Sequence, residues 1–506
     1  MSRKQILTFI AMGIGILVVA VDIAAINVAI PAIEKDFKTT IGVIEWVVNG
    51  YVLVFGVLMV TCGRLADMFG RKKIFLLGIL VFGIASLAGS LAVNPQMLIA
   101  ARIVQGLGGA LLWPSVIGIV YSSVSEDKKG IAVGLILGVA GVGNAAGPLI
   151  GGVITELLSW RLVLFVNVPL SIAAGLITYL FVDEQVEEGG EKNVDYWGIF
   201  TISVSLIALL YATNQFPNWG LESYKTISLL IVFLVFLIIF IPIERKNKEA
   251  LIPPDVMKNV QFMINATVMF TLVGPFFAML LFIPQYYEKF KGYSPLEAGA
   301  ALVPMMFTFA VVAPISGSIF NRLGPKLSIF IGTSLTCLGT IGVSLYGFGD
   351  SYYDSLPALV VAGVGLGFAV PSITTAAVGV VKESRASLAG GIIYMFQLVG
   401  GALGLAIITT IFTDAARNDI YSSLSEVGIS LSEAHKSDLL GFVLGSSGKE
   451  KLISDFGQGK FDELLPHIHH AYATGIKMGL LFGALLAAVG ALLTLLFVRG
   501  KKAQSS

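Results

Sequence analysis

The chain has 506 residues, of which 56% are hydrophobic and 13% charged. Soluble domains carry roughly 25% charged residues, so a soluble enzyme, a disordered chain and a secreted disulfide scaffold are excluded, and an integral membrane protein is left. Thirty-three basic and 32 acidic residues give a formal net charge of +1, which argues against nucleic acid or another polyanion as partner. Cys62 and Cys337 both sit in apolar runs, so a structural disulfide is not expected.

A helix needs roughly 20 apolar residues to cross a bilayer. Fourteen such runs occur, near 6–31, 42–62, 74–92, 97–120, 131–153, 162–182, 196–214, 226–243, 262–284, 297–320, 327–347, 357–380, 388–412 and 473–498. The first continues past Val21 without a small-residue cleavage site, so it reads as a spanning helix rather than a signal peptide. Barrel strands are about 10 residues long and alternate in polarity, so these lengths predict an all-α polytopic membrane protein. With the N-terminus inside, the inner segments hold Arg3, Lys4, Arg64, Arg71, Lys72, Lys73, Lys128, Lys129, Lys192, Arg245, Lys246, Lys248, Lys258, Arg322, Lys326, Lys382, Arg385, Arg499, Lys501 and Lys502. The short outer loops hold only Lys35, Lys38, Arg161, Lys225, Lys289 and Lys291, so both termini are expected in the cytoplasm. One connection, 413–472 on the outer side, mixes acids such as Asp414, Asp419, Glu426, Glu433, Asp438, Glu450, Asp455, Asp462 and Glu463 with helical apolar spacing. It is expected to form short amphipathic helices over an outer vestibule.

The loop after the second run, GRLADMFGRKK at 63–73, recurs after the tenth as GSIFNRLGPKL at 317–327. Gly63 pairs with Gly317, Asp67 with Asn321, Gly70 with Gly324 and Lys72 with Lys326. Two six-helix halves related by a parallel repeat are a known transporter plan. The corresponding division is 1–183, an insert of two helices and linker at 184–258, and 259–506. The first loop contains a candidate latch, Gly63, Asp67, Gly70, Arg71 and Lys72, in which Asp67 can pair with Arg71 or cap a helix. The competing reading, positive charge that merely holds a loop inside, leaves Asp67 unexplained. The fifth run carries Gly134, Gly143, Gly147, Pro148, Gly151 and Gly152. Gly143, Gly147 and Gly151 recur every fourth residue, which makes one helix face without side chains and lets another helix approach closely.

On these motifs the chain resembles the major facilitator superfamily, and within it the fourteen-helix drug:proton antiporters. VDIAAINVAIP at 21–31, RIVQGLGGALLWP at 102–114, SWRLVLFVNVP at 159–169, GYSPLEAGAALVP at 292–304 and FQLVGGALGLA at 396–406 fit the same family. The resemblance implies two six-helix bundles plus two inserted helices, and alternating access at a plasma membrane, typically bacterial. It also implies protons as coupling ion without another cofactor, small-molecule substrates, the lipid bilayer as surroundings, and a functional monomer. The glycine series on the fifth run looks like the family's antiporter motif. Glu288 departs from the family, which often has glutamine there.

Acids inside spans are costly and therefore candidates for function. Asp22 is the only acid well inside a run and Arg102 the only arginine. Counted from Ile30 and Gln96, both lie roughly 10 Å below the outer surface at 1.5 Å per residue, so an Asp22–Arg102 pair is expected to couple proton uptake to transport. Glu288 is a second acid candidate. Drug-sized sites need apolar and aromatic walls with few polar groups, and the candidates are Asn27, Trp46, Asn49, Tyr51, Gln105, Trp113, Phe276, Phe277, Gln285, Tyr394 and Gln397. With one deep acid, monovalent lipophilic cations and zwitterions are the expected cargo. His467, His469 and His470 read as a polar collar rather than a metal site. No GxxxxGK[ST] loop and no catalytic constellation is found, which argues against an ATP-driven pump and an enzyme, and the resemblance implies a proton-driven multidrug exporter, or alternatively a dedicated exporter of an endogenous metabolite, lipid-like compound or siderophore.

Overall fold

The structure is a computed structural model that describes residues 2–184, 193–220, 223–247, 250–346, 348, 351–426, 439, 441–442, 453–454 and 457–500. Its helices are α1 Arg3–Phe37, α2 Ile41–Phe69, α3 Arg71–Ser90, α4 Pro95–Ser122, α5 Lys129–Leu157 and α6 Trp160–Phe181. Then follow α7 Tyr196–Trp219, α8 Tyr224–Lys246 and α9 Val260–Lys291. A continuous stretch from Val303 to Tyr346 breaks at Gly324 into α10, 303–323, and α11, 325–346. The set closes with α12 Tyr352–Gly379, α13 Ala386–Glu426 and α14 Gln458–Phe497. All fourteen expected spans are therefore present as helices. The face read above as cytoplasmic is called the inner face below.

Local chemistry sets the boundaries. Ser2 and Gln5 form a capping box at the start of α1, and Asn94 caps α4 ahead of Pro95. The two glycines paired by the sequence repeat do the same job in each half. Gly70 turns α2 into α3 at φ +110°, and Gly324 turns α10 into α11 at φ +78°, a region that a Cβ disfavours. Short helical turns at Glu126–Lys128 and Glu383–Arg385 occupy equivalent inner loops before α5 and α13.

The glycines of α5 serve two partners rather than one. Near the outer end, a Cβ on Gly143, Gly147 or Gly151 would stand 2.8, 2.4 and 2.5 Å from Ala20, Ala24 and Ala25 of α1. Near the inner end, a Cβ on Gly130, Gly134 or Gly138 would stand 2.8, 2.3 and 2.9 Å from the carbonyl oxygens of Gly317, Ala313 and Ala310 on α10. That second seam joins the two halves. The remaining glycine of the expected series, Gly152, and its neighbour Pro148 face the turn Pro295–Ala300 through Leu296 and Gly299. A parallel seam joins α2 to α13, where Gly63 lies against Ser387 and Gly391 against Met59. The inner ends of the two halves are thus closed on each other.

Of the inserted helices, α7 packs on both α2 and α13. Asn49 and Asn214 exchange amide hydrogen bonds of 3.2 and 3.0 Å across the first of these contacts. α8 buries only Thr226, Phe240 and Glu244 among its described residues, leaving an apolar face for lipid.

The outer connection differs from the sequence expectation. α13 has 41 residues and α14 has 40, so each is about 60 Å long and continues well past a bilayer's hydrocarbon core. Residues 413–426 and 458–472 are therefore the ends of two long helices rather than short ones, and most of 427–457 lies outside the described residues. Asp414, Asp419, Glu426 and Glu463 belong to those helices, whereas Glu433, Asp438, Glu450 and Asp455 lie outside the described residues.

Gly317→Val places side-chain atoms against Gly130, where a Cβ would already be 2.1 Å from a carbonyl oxygen. The expected outcome is a separation of the inner ends, read as a longer distance between spin labels on the exposed positions Lys73 and Lys382. An unchanged distance would contradict the seam.

Candidate functional site

The deepest polar cluster is built by α1, α2, α4 and α6. Arg102 Nη1 donates to Asp22 Oδ2 at 2.5 Å, and both side chains are at most 1% exposed. The other carboxylate oxygen accepts from Gln105 Nε2 at 3.0 Å and from Asn167 Nδ2 at 2.7 Å. Gln105 also accepts from Arg102 Nη1 at 2.6 Å and donates to Ser86 on α3 at 2.8 Å. Arg102 Nε donates to the Val47 carbonyl, and the guanidinium lies 4.3 Å from the centre of the Tyr51 ring. Among the described residues Arg102 Nη2 and the Tyr51 hydroxyl have no hydrogen-bond partner. The pair is net neutral and every bond to Asp22 favours the carboxylate. Adding a proton removes the ion pair and leaves the guanidinium uncompensated in a low-dielectric interior, a cost that only rearrangement relieves.

A second cluster closes the inner face. Asp67 accepts from the backbone N–H groups of Ser387 and Leu388 at 3.2 and 2.8 Å, so a residue of the first half caps α13 of the second. Arg71 Nε donates to Asp67 at 2.9 Å, and its other nitrogens reach Gly118, Ser122 and the Glu383 carbonyl. Lys129, almost fully buried, bridges Glu126 at 2.6 Å and Glu383 at 2.9 Å, again across the halves. Asn321, the repeat partner of Asp67, donates to the Asp127 carbonyl. Lys72 turns aside and binds the Tyr179 carbonyl. Asp255, on the short helix Pro254–Met257, pairs with Arg385. Partial burial raises its pKa, but the hydrogen bond and charge of Arg385 outweigh that and hold the carboxyl below its ordinary value.

Between the halves lies a cleft whose empty space of about 580 Å³ runs into open solvent, lined by Trp113, Leu137, Ala140, Gly141, Asn144, Val273, Phe276, Met306, Phe309, Leu366, Val370, Tyr394 and Gln397. Trp113 and Tyr394, one from each half, pack at a 46° tilt with ring centres 4.4 Å apart. Of the expected cavity residues, Trp113, Phe276, Tyr394 and Gln397 come together here. The others do not line it. Gln105 is consumed by Asp22, and Tyr51 lies beneath Arg102. Trp46 and Asn49 face the inserted helix through Tyr211 and Asn214. Asn27 is exposed and bonds back to the Ile23 carbonyl, Phe277 fills the space beside Gly401, and Gln285 accepts from Tyr472. Glu288 is exposed at the end of α9 beside the half-buried Lys289. His469 and His470 diverge, toward Tyr286 at 2.8 Å and Asp419 at 3.7 Å.

Sequence reasoning missed Asn167, Ser86, Asn144, Lys129 and Glu383. Asn167 had a usable signal, a lone amide within an apolar run. Asn144 sits amid the glycines of α5 and lines the cavity. Lys129 and Glu383 read as loop charges, and only the fold brings them together.

The profile of the Major Facilitator Superfamily matches residues 12–405, and the chain belongs to that superfamily of membrane transporters. Among similar proteins, the tetracenomycin C resistance and export protein of Streptomyces glaucescens is 30% identical over 79% of this chain and 74% of its own. The multidrug resistance protein Stp of Mycobacterium tuberculosis is 29% identical over 81% and 76%. The crystal structure of the human organic anion transporter MFSD10 shares the fold, with a TM-score of 0.60 at 10% identity over 98% of this chain and 100% of that one.

Asp67→Ala removes the cap on α13, and losing such a cap costs about 0.5–2 kcal/mol. That predicts a roughly 2- to 30-fold faster reaction of an introduced Ala386→Cys, a fully buried position, with a maleimide applied from the inner face. An unaltered rate would show that the latch is not energetically coupled to closure.

Proposed function

We propose that the protein is a proton-coupled exporter of lipophilic, drug-sized molecules. It works by alternating access in the plasma membrane, with both termini cytoplasmic, as a monomer with protons as coupling ion and no further cofactor. The observation that carries this reading is the fully buried Asp22–Arg102 pair, held by amides from α4 and α6. Its similarity to an export protein and to a multidrug resistance protein supports the direction of transport and the class of cargo.

In the proposed cycle, a proton from outside neutralises Asp22 and releases Arg102, and the halves rearrange so that the inner latch opens. Cargo then enters the central cavity from the cytoplasm or inner leaflet. Proton loss inward restores the ion pair, the latch reseals, and cargo leaves outward. The membrane potential contributes about 2.3 kcal/mol per charge per 100 mV to such a cycle. The cavity residues serve cargo, not bond chemistry, so the protein is read as a transporter and not an enzyme.

Asp22→Asn keeps the shape and one acceptor oxygen, but puts an amide donor in place of the other oxygen and cannot ionise. In inverted vesicles energised by an imposed pH gradient, the variant is expected to show no uptake of lipophilic dyes above that of empty vesicles. Because Arg102 loses its counter-charge, the variant is expected to unfold at a lower temperature than the wild type, so transport is compared below that transition, and a proton uncoupler should abolish uptake by the wild type. Gradient-driven uptake by Asp22→Asn at wild-type rate would refute the assignment.

A further inference from the structure

We propose that the central cavity takes an uncharged aromatic ring system bearing carbonyl or hydroxyl oxygens, and that it disfavours a ring carrying fixed positive charge. This rests on the export reading above and names the cargo chemistry for it. None of the residues that line the cavity is acidic or basic. Among the described residues of the first half, the buried acids are Asp22, saturated by Arg102, Gln105 and Asn167, and Asp67 in the inner latch, and none of these lines the cavity. A fixed cation seated there would be desolvated with no counter-charge, the costly case for a buried ion.

What the cavity does offer is neutral and directional. Asn144, Gln397, the Tyr394 hydroxyl and the Trp113 indole N–H have no protein hydrogen-bond partner among the described residues. They supply donors and acceptors in the pattern that orients a ligand in an otherwise apolar site. Phe276 and Phe309 add flat apolar walls to the tilted Trp113–Tyr394 pair. A basic group on a flexible tail that stays outside this volume is not affected by the argument.

Charge balance gives a second consequence. Exchange of one inward proton for one outward neutral molecule carries one positive charge inward. Exchange for a monocation carries none. Export of the neutral cargo is therefore driven by membrane potential even without a pH gradient.

The test uses the full chain in proteoliposomes with Nile red and Nile blue, which share a ring system but bear a carbonyl oxygen and a cationic nitrogen, respectively. Nile red transport is expected to be at least ~10-fold faster than that of Nile blue, and a potassium–valinomycin potential at equal pH should drive it. Gln397→Leu should lower Nile red transport ~2- to 10-fold by removing a hydrogen-bonding group. Gln397→Glu should raise Nile blue transport above wild type by supplying the missing counter-charge, a gain that a misfolded variant cannot give. Proton-coupled movement of Nile blue by the wild type as fast as Nile red would overturn this inference and leave the export reading standing. Absence of proton-coupled movement of either dye would overturn both.

Discussion

A carboxylate and a guanidinium 2.5 Å apart, both shut away from water within one bundle of helices, are the constraint around which the first half is organised. Neither charge is tolerable alone at that depth. Asp22 therefore binds α1 to α4 through Arg102 and Gln105, and to α6 through Asn167, while Arg102 draws in α2 through Val47 and Tyr51. Any event that changes the charge of Asp22 alters the packing of all four helices at once. In the proposed cycle that event is the arrival of a proton.

The same helix that carries Arg102 also carries the first-half anchor of the inner latch. Arg71 binds Gly118 and Ser122 on α4, 16 and 20 residues beyond Arg102, or about 24–30 Å along one helix that contains Pro114. Arg71 is also the residue that orients Asp67 toward the N-terminus of α13. A continuous helix with the ion pair near one end and the latch at the other is a physical route by which protonation near the outer surface could bias closure at the inner face. The side-chain-free seams of α5 with α10 and of α2 with α13 suit that task. They allow backbones to meet closely in one state without interlocking side chains that would resist separation.

The parts of the molecule set by composition and periodicity were readable before the fold was known. Run length defines the spans, and the repeated GRLADMFGRKK and GSIFNRLGPKL loops locate the two halves down to the glycines that turn α2 into α3 and α10 into α11. The common depth of Asp22 and Arg102 was legible because charges in spans are rare. The cavity was less so. Hydropathy does not report how each helix is rotated about its axis, so Trp113, Phe276, Tyr394 and Gln397 could not be separated from Asn49 and Trp46, which face an inserted helix, or from Tyr51, which serves Arg102. The long ends of α13 and α14 were hidden for a related reason. The spacing around Asp414 and Asp419 reads as short amphipathic helices, because outside the bilayer no hydrophobic run marks how far a spanning helix continues.

The central claim is that one buried carboxylate exchanges its proton when cargo binds. The most direct measurement is proton release from the detergent-solubilised protein in weakly buffered solution with a pH indicator, on mixing with a neutral lipophilic ligand. The account predicts release that saturates with ligand in the wild type and is absent in Asp22→Asn with ligand binding retained. Undiminished release from Asp22→Asn would contradict it.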